Sequence, residues 1–156
     1  MNKKTKISLK YDIIVTGDFF MQINRSEARY KAMTILYQIN LYEKNKINYV
    51  VEDVIKEQLE IQNDFVNELV FGVINNKKEI DEVANKYLNN WSIDRLGLTD
   101  QAIIEISIYE IMFTDTPNLV CINEAIELAK KYSDEKISKM INGALDRLYH
   151  DYEDNK

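Results

Sequence analysis

The chain has 156 residues, 46% apolar and 29% charged, and its 20 Lys+Arg against 26 Asp+Glu give a net charge of -6. That is a folding composition, enough for one domain or two half-size lobes sharing a core. Four Gly and one Pro exclude turn-rich all-β and βαβ architectures, one Cys excludes an internal disulfide, one His excludes most zinc and triad arrangements, and the acidic balance confines any RNA role to a local patch.

Residues 1–20 carry four Lys and two Asp, a local +2 that leaves -8 for the rest. The apolar run Ile13-Ile14-Val15 is too short for a signal sequence and is flanked by Asp12 and Asp18. Residues 1–22 are therefore expected to be a poorly ordered extension. Two readings stay open for it: a dispensable stretch ahead of a start at Met21, or a functional basic arm.

From residue 24 the apolar period is helical throughout. Asn24 with Glu27 spells a capping box, and Ala28, Ala32, Ile35, Leu36 and Ile39 then line one face to about Tyr42. A shorter helix follows at about 50–60. Asn63 or Asp64 opens a long one whose stripe runs from Phe65 through Val73 and Ile80 to Tyr87. Gly72 lies inside that stripe, where glycine costs about 1 kcal/mol against alanine, so close approach of another helix is expected there.

Asn89-Asn90-Trp91-Ser92 interrupts the pattern and marks an expected boundary between lobes at about 24–90 and 91–150. Thr99 or Asp100 is expected to cap the next helix. Apolar residues fall on nearly every side of its body, Ala102 to Phe113, which predicts a central, buried position. Two more helices follow, one with Ile122, Ala125, Ile126 and Ala129 inward. The other is capped by Ser133 or Asp134, with Ile137, Met140, Ile141, Ala144, Leu145 and Leu148 inward. Residues 151–156 read as a polar, frayed tail. The fold class is all-α: two packed helical lobes of about three plus three to four helices.

The sequence holds no Gly-rich phosphate loop and no Cys/His cluster. Cys121, between Val120 and Ile122, reads as core, and His150 as a solvated C-terminal residue. The helically spaced carboxylates, such as Glu124 with Glu127, lack the Glu-x-x-His of di-metal bundles and read as a solvated face. No cofactor, metal or catalytic residue is expected. Binding is the function that remains.

Five strings, in order, resemble the NusB family of bacterial transcription antitermination factors. They are Asn24-Arg25-Ser26-Glu27-Ala28-Arg29 with Ile35-Leu36-Tyr37-Gln38; Phe65 to Val73; Trp91 with Arg95-Leu96 and Asp100 to Ile104; Val120 to Lys130; and Ile141-Asn142-Gly143-Ala144-Leu145-Asp146. The resemblance covers about residues 24–150.

The resemblance implies a non-catalytic, cytoplasmic RNA-binding protein. It would pair with the ribosomal protein NusE on the single-stranded boxA element of nascent ribosomal RNA. With NusA, NusG and RNA polymerase it would oppose Rho-dependent termination. It implies an RNA surface at Arg25, Arg29, Tyr87, Lys139 and Met140, which Lys31 and Lys136 would extend. It implies a NusE-facing surface at Tyr37, Asp94, Arg95 and Asp100. Arg25 and Arg29, four apart, are expected to project from one side of the first helix.

Each of these residues also has a plain structural reading: surface charge, the end of the apolar stripe for Tyr87, a semi-buried tyrosine at 37, capping acids at 94 and 100. Asn123 and Asn142 are expected to tie helices together. Glu105 stands where the family usually has Arg, and Met140 where it has Phe. Both departures bear on RNA affinity more than on fold. A module that binds NusE with weak or no RNA binding is the alternative function. The sequence is compatible with a monomer or a homodimer.

Overall fold

The computed structural model describes residues 23–152; the expected extension over 1–22, its basic residues and the last four residues lie outside the described part. Among the described residues there are seven α-helices and one 3-10 turn. They are α1 (Arg25–Lys44), α2 (Val51–Gln58), α3 (Asp64–Asn75), α4 (Lys77–Tyr87), the turn Ile93–Arg95, α5 (Leu98–Phe113), α6 (Asn118–Tyr132) and α7 (Glu135–Tyr152).

The capping box at the start of α1 is complete. The Glu27 N–H donates to Asn24 Oδ1 at 2.8 Å, and the Asn24 N–H donates to the Glu27 carboxylate at 3.3 Å. Asn63 caps α3 by accepting the Val66 N–H at 2.9 Å. Asp134 caps α7 by accepting from Ile137 at 2.8 Å. Ser133 is not used there, because its hydroxyl donates to Asp100 at 2.5 Å. The central helix α5 starts earlier than expected, with Gly97 as its N-cap, so Thr99 and Asp100 lie inside its first turn.

The expected single helix from Asn63 or Asp64 to Tyr87 is two helices. Asn76 leaves helical geometry at φ -117, ψ 15, and its side-chain amide donates to the Gly72 carbonyl at 2.8 Å. An asparagine amide competes well for a backbone carbonyl, which lets the helix stop without a glycine. The break redirects the chain: α3 packs on α1 and α5, whereas α4 packs on α5 and α7.

Every residue of α5 from Ala102 to Ile111 is buried, and α5 contacts α1, α3, α4, α6 and α7. One apolar cluster runs through all seven helices. Gly72 is required where α3 meets α5. A Cβ on it would stand 2.1 Å from the Tyr109 ring, so the ring occupies the space a side chain would take.

The tail expectation is corrected at its start. Asp151 and Tyr152 belong to α7, and the Tyr152 carbonyl accepts from the Asn118 amide at 3.3 Å. The expected ties through Asn123 and Asn142 are also corrected, since both side chains face solvent. Each is one residue past an inward apolar position, and about 100° of helical turn carries it off the buried face. The buried amides are Asn40 and Asn118.

Candidate functional site

The first two turns of α1 carry the two arginines that the sequence pairs, and the structure gives them different fates. Arg25 is exposed, with its guanidinium 4.5 Å from the Phe65 ring centre. Arg29, one turn later, is only 2% exposed. It donates to Glu110 at 2.9 Å from Nε and 2.8 Å from Nη2. Glu124 lies 3.8 Å away and also accepts the Ser26 hydroxyl at 2.8 Å.

Burial by itself would lower the Arg29 pKa; the Glu110 hydrogen bonds and the charges of Glu110 and Glu124 more than reverse this, and the net direction is up. A buried charge is costly unless paired and hydrogen-bonded. The expected outward-facing pair is therefore corrected: Arg29 fastens α1 to α5 and α6, and Arg25 alone presents its charge. Around them lies a cleft whose other lining includes Phe65, Glu68, Thr114, Asp115, Val120 and Glu124. Three carboxylates share it with the two arginines.

Lys31 is half-buried. Six residues beyond Arg25, it is turned well away from it around α1. Tyr87 is 7% exposed and its hydroxyl donates to Asp151, while Arg147 donates to the Tyr87 carbonyl at 2.6 Å. It ends the apolar stripe of α4. Met140 sits on the same helix as Asp151, eleven residues earlier, about 16 Å along the axis.

Lys136 and Lys139 are exposed on the first half of α7, and Lys139 pairs with Glu135 at 3.1 Å. Met140 is half-buried against the core. A shallow cleft between α6 and α7 joins Lys139 to Ile126, Lys130, Ser133, Glu135, Ser138 and Asn142. Lys130, which closes the Val120–Lys130 string and pairs with Glu127 at 3.5 Å, shares this cleft with Lys139 because of how α6 packs on α7.

Glu105 does not lie on any surface. It is 0% exposed, accepts from Asn40 at 3.3 Å and from the Lys77 ammonium, and Lys77 also pairs with Asp81 at 3.3 Å. Burial pushes the Glu105 carboxyl up to about 7, against the opposing pull of Lys77. Its departure from the family's usual Arg therefore touches the α1–α4–α5 junction and not an exposed RNA surface.

Near the start of α5, Tyr37 of the second set lies in a cleft beside Thr99. Tyr37 is 41% exposed and lines a cleft of about 250 Å³ with Tyr30, Met33, Thr34, Thr99 and Tyr132. Asp100, next to Thr99, accepts from Ser133, next to Tyr132. Burial raises the Asp100 pKa and the Ser133 hydrogen bond works against that. Asp94 and Arg95 are exposed in the 3-10 turn just before α5, where Asp94 accepts from the Ser92 hydroxyl.

Tyr30 and Tyr132 stack with ring centres 5.1 Å apart and planes at 19°. No local pattern signals this pair, since its members lie on different helices. Among the described residues no group of three or more His, Cys, Asp or Glu could hold a metal ion. No helix among them is long and apolar enough to cross a membrane.

With this geometry in place, the comparisons with known proteins are specific. The model of the NusB family matches residues 26–150. Transcription antitermination protein NusB of Listeria innocua is 44% identical over 124 residues, 79% of this chain and 94% of its own. That of Bacillus licheniformis is 40% identical over 133 residues, 84% of this chain and all of its own.

Among solved structures, T. maritima NusB superposes with a TM-score of 0.72 at 30% identity, over 85% of this chain and 94% of that one. A chain from the crystal structure of antitermination factors NusB and NusE in complex with dsRNA superposes with a TM-score of 0.71 at 29% identity. That match covers 82% of this chain and 97% of the other.

Proposed function

This chain belongs to the NusB family, and on that premise we propose that it is a non-catalytic transcription antitermination protein binding RNA together with NusE. The single observation that carries this reading is the match to a chain of the NusB–NusE–RNA complex over 82% of the present chain. The finer assignment is boxA-type single-stranded RNA of nascent ribosomal transcripts. The complex would be completed in the cytoplasm by NusA, NusG and RNA polymerase, and would resist Rho-dependent termination.

Single strands are held by cations that track phosphates and by flat or soft side chains that cover bases. Arg25, held on Phe65, supplies one such cation. Lys130, Lys136 and Lys139 supply a second group, with Met140 as polarizable apolar surface beside them. Arg29 acts from inside, by fixing the turn of α1 that presents Arg25. Lys31 and Tyr87 contribute to stability more than to contact. Tyr37, Asp94, Arg95 and Asp100 form the NusE-facing surface, with Tyr37 as aromatic anchor and the acids meeting a basic protein.

One observation favours the narrower reading, a NusE-binding module with weak RNA affinity: the cleft at Arg25 contains three carboxylates. Titration of a boxA-like single strand, with a duplex control, with and without NusE and across salt concentration, separates the two. The proposed function requires tighter single-strand binding when NusE is present, with a salt slope of about -0.7 per phosphate neutralised. Absence of RNA binding in the presence of bound NusE leaves the narrower reading standing.

A further inference from the structure

We propose that the cleft between Tyr37 and Tyr132 is an anchor pocket of the NusE-facing surface and takes one cationic side chain of that protein. This rests on the reading of Tyr37 as partner-facing. Tyr132 is 46% exposed and Tyr37 is 41% exposed, and both line this cleft. The two tyrosines come from α6 and α1, and the Ser133–Asp100 hydrogen bond ties the end of α6 to the start of α5 beside them.

The Tyr132 ring is held in place. Tyr30 stacks on it at 5.1 Å, which restrains one face of a ring that is still 46% exposed. A restrained ring costs a ligand little ordering entropy, the condition under which an exposed aromatic contributes most to binding. A cation over such a ring is attracted by its negative face. Met33 and Thr34 also line the cleft and suit the aliphatic stem of Lys or Arg, which packs along apolar surface while its head stays polar.

Charge selects protein over RNA as the occupant. Asp100 is tied to Ser133, the neighbour of Tyr132, and both rings of the stack also line a second cleft that holds Glu27, Glu124 and Glu127, with Lys131 as its cation. A phosphate backbone drawn across the stack would meet these carboxylates, whereas a basic protein segment is steered toward them. The RNA-facing cations Arg25 and Lys139 line other clefts.

The test compares Tyr132→Ala, Tyr132→Leu and Tyr132→Phe in the full chain, measuring affinity for purified NusE by calorimetry and for boxA-like RNA in its absence. Tyr132→Phe keeps the ring and binds NusE within about twofold of wild type. Tyr132→Ala and Tyr132→Leu each weaken it about tenfold, equivalent to about 1.4 kcal/mol, with RNA affinity unchanged.

Leucine binding NusE as tightly as phenylalanine would show a merely apolar contact and overturn the cationic assignment. Loss of RNA affinity with NusE affinity intact would give the stack to RNA instead. Wild-type affinity in Tyr132→Ala, with binding abolished by Tyr37→Asp, removes the pocket but leaves the partner reading intact. Failure of the wild-type chain to bind NusE removes both. Circular dichroism accompanies each variant; where alanine lowers the melting temperature, the leucine–phenylalanine pair decides.

Discussion

Arg29 donates two hydrogen bonds to Glu110, at 2.9 and 2.8 Å, across a sequence separation of 81 residues and inside the core. A bidentate guanidinium–carboxylate pair has fixed geometry. It sets the rotation of α1 on α5, and with it the direction in which Arg25, one turn earlier, presents its charge.

Breaking that pair should damage the fold before it damages any interface. Arg29→Ala strands the Glu110 carboxylate in the interior, and such losses cost about 3–5 kcal/mol. Chemical denaturation of Arg29→Ala and of the doubly apolar Arg29→Met with Glu110→Leu checks this. The double variant should recover much of the stability; equal losses in both would mean that packing, not the stranded charge, sets the cost.

Arg25→Glu should separate RNA binding from folding. Arg25 is exposed and rests on Phe65, so its reversal leaves the melting temperature near wild type. RNA affinity should fall by at least about 1 kcal/mol and the salt slope should shrink by roughly 0.7, while NusE binding is retained. Unchanged RNA affinity would place the RNA surface away from α1.

Tyr37→Asp should abolish capture of NusE in a pull-down while circular dichroism stays helical. The side chain is exposed, so a carboxylate there meets water and not core. A normal pull-down contradicts the placement of the NusE-facing surface.

Stability should fall with rising pH through the Glu105 titration. The folded-state pKa of Glu105 is about 7, above the ordinary 4.5, so the folded protein holds this proton more tightly than the unfolded chain does. The contribution is fully present below about pH 4.5 and is lost as pH rises through 7. Relative to Glu105→Gln, wild type should lose stability across that interval. Parallel curves for the two proteins in urea melts from pH 4.5 to 8 would refute the assignment.

Gly72→Ala should destabilise by about 1–3 kcal/mol, the range for forcing an extra carbon into a packed interior. The added Cβ would overlap the Tyr109 ring. A second change, Tyr109→Leu, should relieve part of the loss in a thermal melt, giving a non-additive pair.

Several features of this protein were written in neighbouring residues and could be read without coordinates. Asn24 and Glu27 are three apart, and their reciprocal hydrogen bonds form within one helical turn. The apolar residues of α5 surround the helix, so its central burial followed from periodicity alone. Gly72 announced a close approach without naming Tyr109. The five strings identified the family because they keep order and spacing, which local pattern preserves.

Only the tertiary structure decided what each charge and amide does. Arg25 and Arg29 look equivalent in sequence, and Glu110, far along the chain, makes them different. Nothing next to Glu105 predicts Lys77 or Asn40 beside it, and nothing next to Tyr132 predicts Tyr30. Helix periodicity says which residues turn inward; it carries no information about which inward residue of another helix they meet. Hydrogen bonds and ion pairs act over a few ångströms, so their partners are fixed only after the helices have packed.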